Sequence, residues 1–156
     1  SYFQFTWKAD PEDQRRRRSV YMFIRRNLVY PLLEAFDAAD PNQPCEQRNH
    51  SVTASQALSL FNGQFANENS RHMAIRIRQE ESDEARRIDR IFWLALSRAP
   101  EPTETEACRS FLESKRASYA TEAGAGKAGQ PVDHDLSAWC DLCLAVLNTN
   151  EFLYLD

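Results

Sequence analysis

The sequence predicts an all-α domain of about six helices in an irregular bundle, with a short N-terminal aromatic strand or extended arm. Three observations carry this. Apolar residues recur at three- and four-residue spacing over most of the chain, boxes of capping residues precede two of those runs, and period-two alternation is confined to the two ends. The 156 residues suit one domain spanning 1–156. With 42% hydrophobic and 27% charged residues, the chain fills one core and keeps a solvated surface. No run of eighteen apolar residues exists, so a spanning helix is not expected. The net charge of −4 weighs against wholesale nucleic-acid binding.

Phe3, Phe5 and Trp7 alternate with Gln4 and Thr6, which is a strand pattern, and the next strand-like run is 151–156. A lone strand is unstable. Either the two ends pair, or the neighbour lies in an upstream part of a longer protein. We expect the second, with the chain a C-terminal fragment of a multidomain protein. Asp10 as N-cap with Pro11 at the first helical position opens a helix whose apolar face is Val20, Phe23, Ile24 and Leu28. Tyr30-Pro31 breaks it, and a short helix follows with Leu32, Leu33 and Phe36. Residues 40–44 read as a turn and 45–51 as a polar loop.

Thr53-x-x-Gln56 is a capping box for a helix with the stripe Ala54, Ala57, Leu58 and Phe61, ending near Asn62-Gly63. A helix over about 64–79 carries Phe65, Met73 and Ile77. Ser82 or Asp83 starts the next, with Ile88, Ile91, Phe92, Ala95 and Leu96 inward, and Pro100 and Pro102 end it. Thr103-x-x-Glu106 is a second capping box, and its helix buries Cys108, Phe111 and Leu112. Residues 122–133 hold three of the four glycines and read as a flexible loop. The last helix, about 135–147, is apolar nearly all round and belongs at the centre of the packing.

No motif assigns a reaction. Gly124-x-Gly126-x-x-Gly129 has the letters of a dinucleotide loop, but it follows a helix and runs into Pro131, so it reads as a linker. Cys140-x-x-Cys143 sits inside an apolar helix rather than at a helix N-terminus, so its thiols read as small core residues. No cofactor is expected in this chain. A metal-binding module using Cys45 and His50 is one alternative, though the soft ligands are dispersed. Four cysteines permit bridges such as Cys45–Cys143 or Cys108–Cys140 in an exported protein, between which the sequence does not choose, and free buried thiols are the expected state. Arginine far outnumbers lysine. Its planar fork suits paired carboxylates, so internal ion pairs are the expected use for the run Arg15 to Arg18 and for others.

A more specific pattern runs along the chain: Arg16-Arg-Arg-Ser-Val-Tyr21, Arg25-Arg26, Glu34-Ala-Phe-Asp-Ala-Ala-Asp40, Cys45-x-x-Arg48-Asn49, and Thr53-x-x-Gln56-Ala-Leu-x-Leu60-x-Asn62. Leu96-Ser-Arg98-Ala-Pro100-x-x-x-Glu104 and Asn148-x-Asn150-Glu-Phe-Leu-Tyr154 continue it. From about Trp7 to Asp156 this resembles the C-terminal domain of unknown function of large exported planctomycete-type bacterial proteins. The resemblance implies an exported, periplasmic or cell-envelope setting, an upstream domain of the same polypeptide as partner, and often a cytochrome c-like domain further upstream. It supplies no activity and no catalytic residues. The family pattern places Pro where this chain has Ala39, and Cys140 looks like a local addition.

The motifs point to one candidate polar cluster: Arg18, Arg25, Asp37, Asp40, Arg48, Asn49, Gln56 and Asn62. Polar residues between apolar helix faces need partners, so the first expectation is a hydrogen-bonded network fixing an irregular loop. The other is a cleft for a ligand or partner. The leading functional expectation is a non-catalytic accessory or interaction domain, docking on its upstream domain or on a redox or envelope protein. An enzyme domain acting on polysaccharide-derived substrates, with a polar cleft near Asp37, Arg48 and Asn62, is the alternative.

Overall fold

A computed structural model of the chain describes residues 21, 33, 35–39, 53–124 and 133–154. Its contacts divide it into two units, Ser1–Ala57 and Leu58–Asp156, each taken by itself. Among the described residues the fold is all-α, an irregular bundle of six helices: α1 (Ala54–Asn62), α2 (Gln64–Glu80), α3 (Glu84–Leu96), α4 (Pro102–Gly124), α5 (His134–Leu147) and α6 (Asn150–Leu153). The expected aromatic strand, the helix opened by Asp10, and the turn and loop over 40–51 lie outside the described residues.

The core of the second unit is built round α5, which packs on α2, α3, α4 and α6. Its Ala138, Trp139, Leu142, Cys143 and Val146 are buried, Trp139 completely. An apolar surface on all sides is what a central helix requires. Asp133 stands before α5 in extended conformation, and its Oδ1 accepts the Leu136 N–H at 2.9 Å. Capping of this kind supplies a partner to one of the open amides of the first turn.

The α2–α5 contact is the most extensive in the bundle. α2 buries Ala66, Ser70, Ala74 and Ile77, and of these Ala74 and Ile77 share one core cluster with Trp139 and Leu142 of α5. Spacing of four, four and three places them on one face, and three of the four are small. Close packing against a helix that carries Trp139 and Leu142 leaves room for little more than a methyl or hydroxymethyl group. The pattern Phe65, Met73, Ile77 therefore holds only in its second half, and Phe65 is exposed.

The stripe expected on α1 is also corrected. Ala54, Ala57, Leu58 and Phe61 are all exposed, and Gln56 is the buried residue of that helix. Periodicity marks a face that could be buried, but burial needs an opposing surface, and α5 is already flanked by α2, α3, α4 and α6. The polar start of α1 forms as expected. Thr53 N–H donates to Gln56 Oε1 at 3.1 Å, and Gln56 N–H donates to Thr53 Oγ1 at 3.3 Å.

α3 begins at Asp83, whose side chain accepts the Arg86 N–H at 3.1 Å, and it buries Ile88, Ile91 and Phe92. α4 starts earlier than the expected box Thr103-x-x-Glu106 requires. Its box is Glu101-x-x-Glu104: Glu104 Oε2 accepts the Glu101 N–H at 2.7 Å, with Pro102 as the first helical residue. Proline at that position lacks the N–H that would go unbonded, so it fixes the start more firmly than Thr103 does. Cys108 and Leu112 are buried and Phe111 packs beside them. α4 continues to Gly124, so the first three residues of the loop expected over 122–133 are helical, and 125–132 lie outside the described residues.

The strand-like end is a helical turn, α6, with Thr149 before it. A strand needs an edge to pair with, and none is present among the described residues. In the first unit, Leu33 and Ala35 are helical, in keeping with the expected short helix, and the turn closes at Asp37. Phe36 and Ala38 N–H both donate to Leu33 O, at 3.2 and 2.9 Å, while Asp37 has φ 53°. This is a left-handed helix stop at a position glycine usually fills.

Candidate functional site

Of the eight residues in the predicted polar cluster, Arg18, Arg25, Asp40, Arg48 and Asn49 lie outside the described residues. Asp37 occupies the left-handed helix stop. Gln56 is buried, with its side-chain oxygen on the Thr53 amide, so its visible work is capping. Asn62 is exposed at the last position of α1. Asp37 and Asn62 belong to different units.

The densest polar arrangement that the structure does define was missed as a site by the sequence reading. Arg98 follows Ser97, which stops α3 in left-handed conformation with φ 57°. Its guanidinium meets two carboxylates. Nη1 and Nη2 donate to Glu104 Oε2 and Oε1 at 2.7 and 2.8 Å, while Nε and Nη2 donate to Glu151 Oε1 and Oε2 at 2.6 and 2.7 Å. Nη1 also reaches Ala99 O at 3.1 Å, and the guanidinium stands 5.5 Å over the Phe92 ring. Such forked, charge-assisted pairs have a defined geometry that single contacts lack. Hydrogen bonds from Arg98, then from the Glu101 amide, lower the Glu104 carboxyl to about 2, and Arg98 also lowers Glu151. Bonding to Glu104 and Glu151 raises Arg98 in turn. The hub therefore stays ionised. It joins the α3–α4 turn to α6, which is an anchoring arrangement rather than a proton-transfer one.

A second set of ion pairs closes the opposite end of α3. Arg116 of α4 donates to Glu84 in the first turn of α3 at 2.9 Å and to Asp135 in the first turn of α5 at 2.9 Å. Arg78 of α2 donates to Asp133 at 2.8 Å. Burial works against the charge on Arg116, but its bonds to Glu84 and Asp135 prevail and raise it. Asp133 is lowered by the Leu136 amide first and by Arg78 second. Acids at helix N-termini also favour the helix dipoles. Glu80 is shared between Arg76 and Arg90, each at 2.7 Å. Arg76, Arg78, Arg90, Arg98 and Arg116 thus pair with carboxylates as expected, while the run Arg15 to Arg18 lies outside the described residues.

Cys108, Cys140 and Cys143 are free thiols, so the suggested Cys108–Cys140 and Cys45–Cys143 bridges are not formed. Burial pushes all three thiols up, Cys143 far up, which is opposite to a redox or nucleophilic cysteine. Gly124 is the last residue of α4, so a helix and not a strand leads into the glycine string, whose Gly126 and Gly129 lie outside the described residues. No group of three or more His, Cys, Asp or Glu is placed to hold a metal among the described residues, and Cys45 and His50 lie outside them. No described helix is long and apolar enough to cross a membrane.

One surface stands apart. Leu58, Phe61 and Phe65 are 60%, 54% and 47% exposed, on α1 and the first turn of α2. From Thr53 to Asn67 the chain has no ionisable side chain. Gly63 joins the two helices, and Asn148 Nδ2 donates to Leu60 O at 3.4 Å and Leu144 O at 2.8 Å, holding the end of α1 to the end of α5.

An all-α bundle with carboxylate–arginine hubs, and with Leu58, Phe61 and Phe65 exposed on a sequence stretch without ionisable residues, defines the class as a helical domain. More specifically, the sequence family described as PSD1, a protein of unknown function (DUF1553), matches residues 2–112, and the chain belongs to that family. No curated protein and no solved structure matches it. The matched region takes in α1, α2, α3 and the first half of α4, with Arg98 and Glu104, and stops short of α5 and Glu151.

Proposed function

We propose that the chain is a non-catalytic interaction domain that docks on protein through the face of Leu58, Phe61 and Phe65. The observation that carries this reading is an uncharged stretch, Thr53 to Asn67, that leaves three large apolar side chains exposed in a chain that is 27% charged as a whole. Contiguous exposed apolar surface marks interaction sites, and interface centres are poor in charge and rich in aromatics. The same lack of charge disfavours an anionic polymer as partner. Resemblance to exported planctomycete-type proteins supplies the setting: a cell-envelope protein in which the partner is the preceding domain of the same polypeptide. A cytochrome c-like module further upstream gives the assembly a redox context.

The test is association of this chain with that preceding domain, supplied as a separate protein, by size exclusion. Co-elution is expected for the wild type and loss of it for the double variant Leu58→Ser, Phe61→Ser. Since both side chains are already exposed, the variant keeps its melting temperature. Failure of the wild type to associate, or a variant that binds equally well, overturns the reading.

A further inference from the structure

We infer that α6 is a detachable strap, fastened to the bundle by the Arg98–Glu151 fork and able to leave without unfolding the core. α6 has no fully buried residue: Leu153 is half-buried, and Phe152 on it and Tyr154 just after it are about half exposed. It packs on α3 and α5. Its own backbone bonds are local: Phe152 and Leu153 N–H donate to Thr149 O, and Tyr154 N–H to Asn150 O. Among the described residues, the fork from Arg98 is the polar side-chain link from α6 to the rest of the unit. The neighbouring ties, Asn148 to Leu60 and Leu144 and Thr149 to Val146, belong to the end of α5 and stay with it.

Detachment is easy because Arg98 has two carboxylates and needs one. When Glu151 leaves, the guanidinium keeps both bonds to Glu104, its bond to Ala99 O and its place over Phe92. Glu151, already half exposed, passes into water. No charge is left buried without a partner, the event that makes breaking an ion pair costly. Removing Glu104 instead would also strip the cap from α4, so the two carboxylates are not equivalent. A fastening of this kind is screened by salt. Once free, the strap adds the half-buried Leu153 to the already exposed Phe152 and Tyr154.

Amide hydrogen exchange tests this on the whole chain, in wild type and in Glu151→Gln, at low salt and at about 1 M salt. In the wild type, the amides of Phe152, Leu153 and Tyr154 are expected to exchange at least about tenfold faster than those of Leu142 and Cys143. Glu151→Gln, or salt, speeds the α6 amides severalfold further and leaves the α5 amides unchanged. The inference is overturned if α6 exchanges in step with α5. It is equally overturned if neither Glu151→Gln nor salt changes α6, because the fork is then not the fastener.

Discussion

Arg98 holds Glu104 through two parallel N–H···O bonds of 2.7 and 2.8 Å, and Glu104 in turn accepts the Glu101 amide at 2.7 Å. One carboxylate therefore serves as ion-pair partner and as helix cap. Its pKa falls from the usual 4.5 to about 2, so between those values the unfolded chain binds the proton more readily than the folded one. By linkage, this contribution is full above about 4.5, and it is lost as pH falls through about 2. Denaturant unfolding across this range should show Glu104→Gln less stable than wild type by about 1 kcal/mol near neutrality, as for partly exposed pairs. The gap should close towards pH 2. A gap independent of pH would mean that the carboxylate charge is not what Glu104 contributes.

The α2–α5 seam gives a second expectation. Ala74 is fully buried in the same cluster as Trp139 and Leu142. Ala74→Leu adds three carbon atoms where no space is left, and overpacking of this sort costs about 1–3 kcal/mol. Ala117→Leu, the same change at an exposed helical position on α4, should cost far less. Equal melting temperatures for the two variants would contradict the close approach of the helices.

What could be read from sequence was what is local. The box Thr53-x-x-Gln56 and the start of α3 depend on residues three apart, and α5 announces itself by being apolar nearly all round. The small-residue face of α2 was not legible, because Ala66, Ser70 and Ala74 add little to an apolar pattern that Phe65 and Met73 dominate. Direction of burial was not legible for α1 either: Leu58 and Phe61 have the right spacing but no opposing helix among the described residues. The Arg98 hub joins residues 53 positions apart, and nothing local signals that separation. Asp37 was singled out as polar, yet its described role is a backbone one, visible only once φ is known.

Gly63 stands between α1 and α2 with ordinary negative φ, so its need for glycine is steric rather than conformational. A Cβ built there would lie 2.1 Å from Ser59 O, a backbone atom that is itself bonded to the Gly63 N–H at 3.0 Å. Gly63→Ala must push the two helices apart or break that bond. A loss of about 1–3 kcal/mol is expected, the range for added atoms without space. Binding through Leu58, Phe61 and Phe65 should weaken too, since the junction sets the angle between their helices. An alanine variant as stable as wild type in urea would show that the junction yields without cost.

Asp37 separates a backbone role from a side-chain role most cleanly. It and Ser97 are the two non-glycine residues with positive φ among the described residues, at 53° and 57°. Left-handed conformation costs an L-residue about 1–2 kcal/mol, less for Asp than for most, and nothing comparable for glycine. If Asp37 serves the helix stop alone, Asp37→Gly should hold or raise stability, while Asp37→Val should lower it by about 1–2 kcal/mol. If the carboxylate carries more than the turn, glycine will lower stability as well, despite relieving the backbone. Thermal unfolding of the two variants decides between these outcomes. Ser97→Gly provides the internal comparison: its φ is nearly the same, so a gain there beside a loss at Asp37 would assign the difference to the Asp37 side chain.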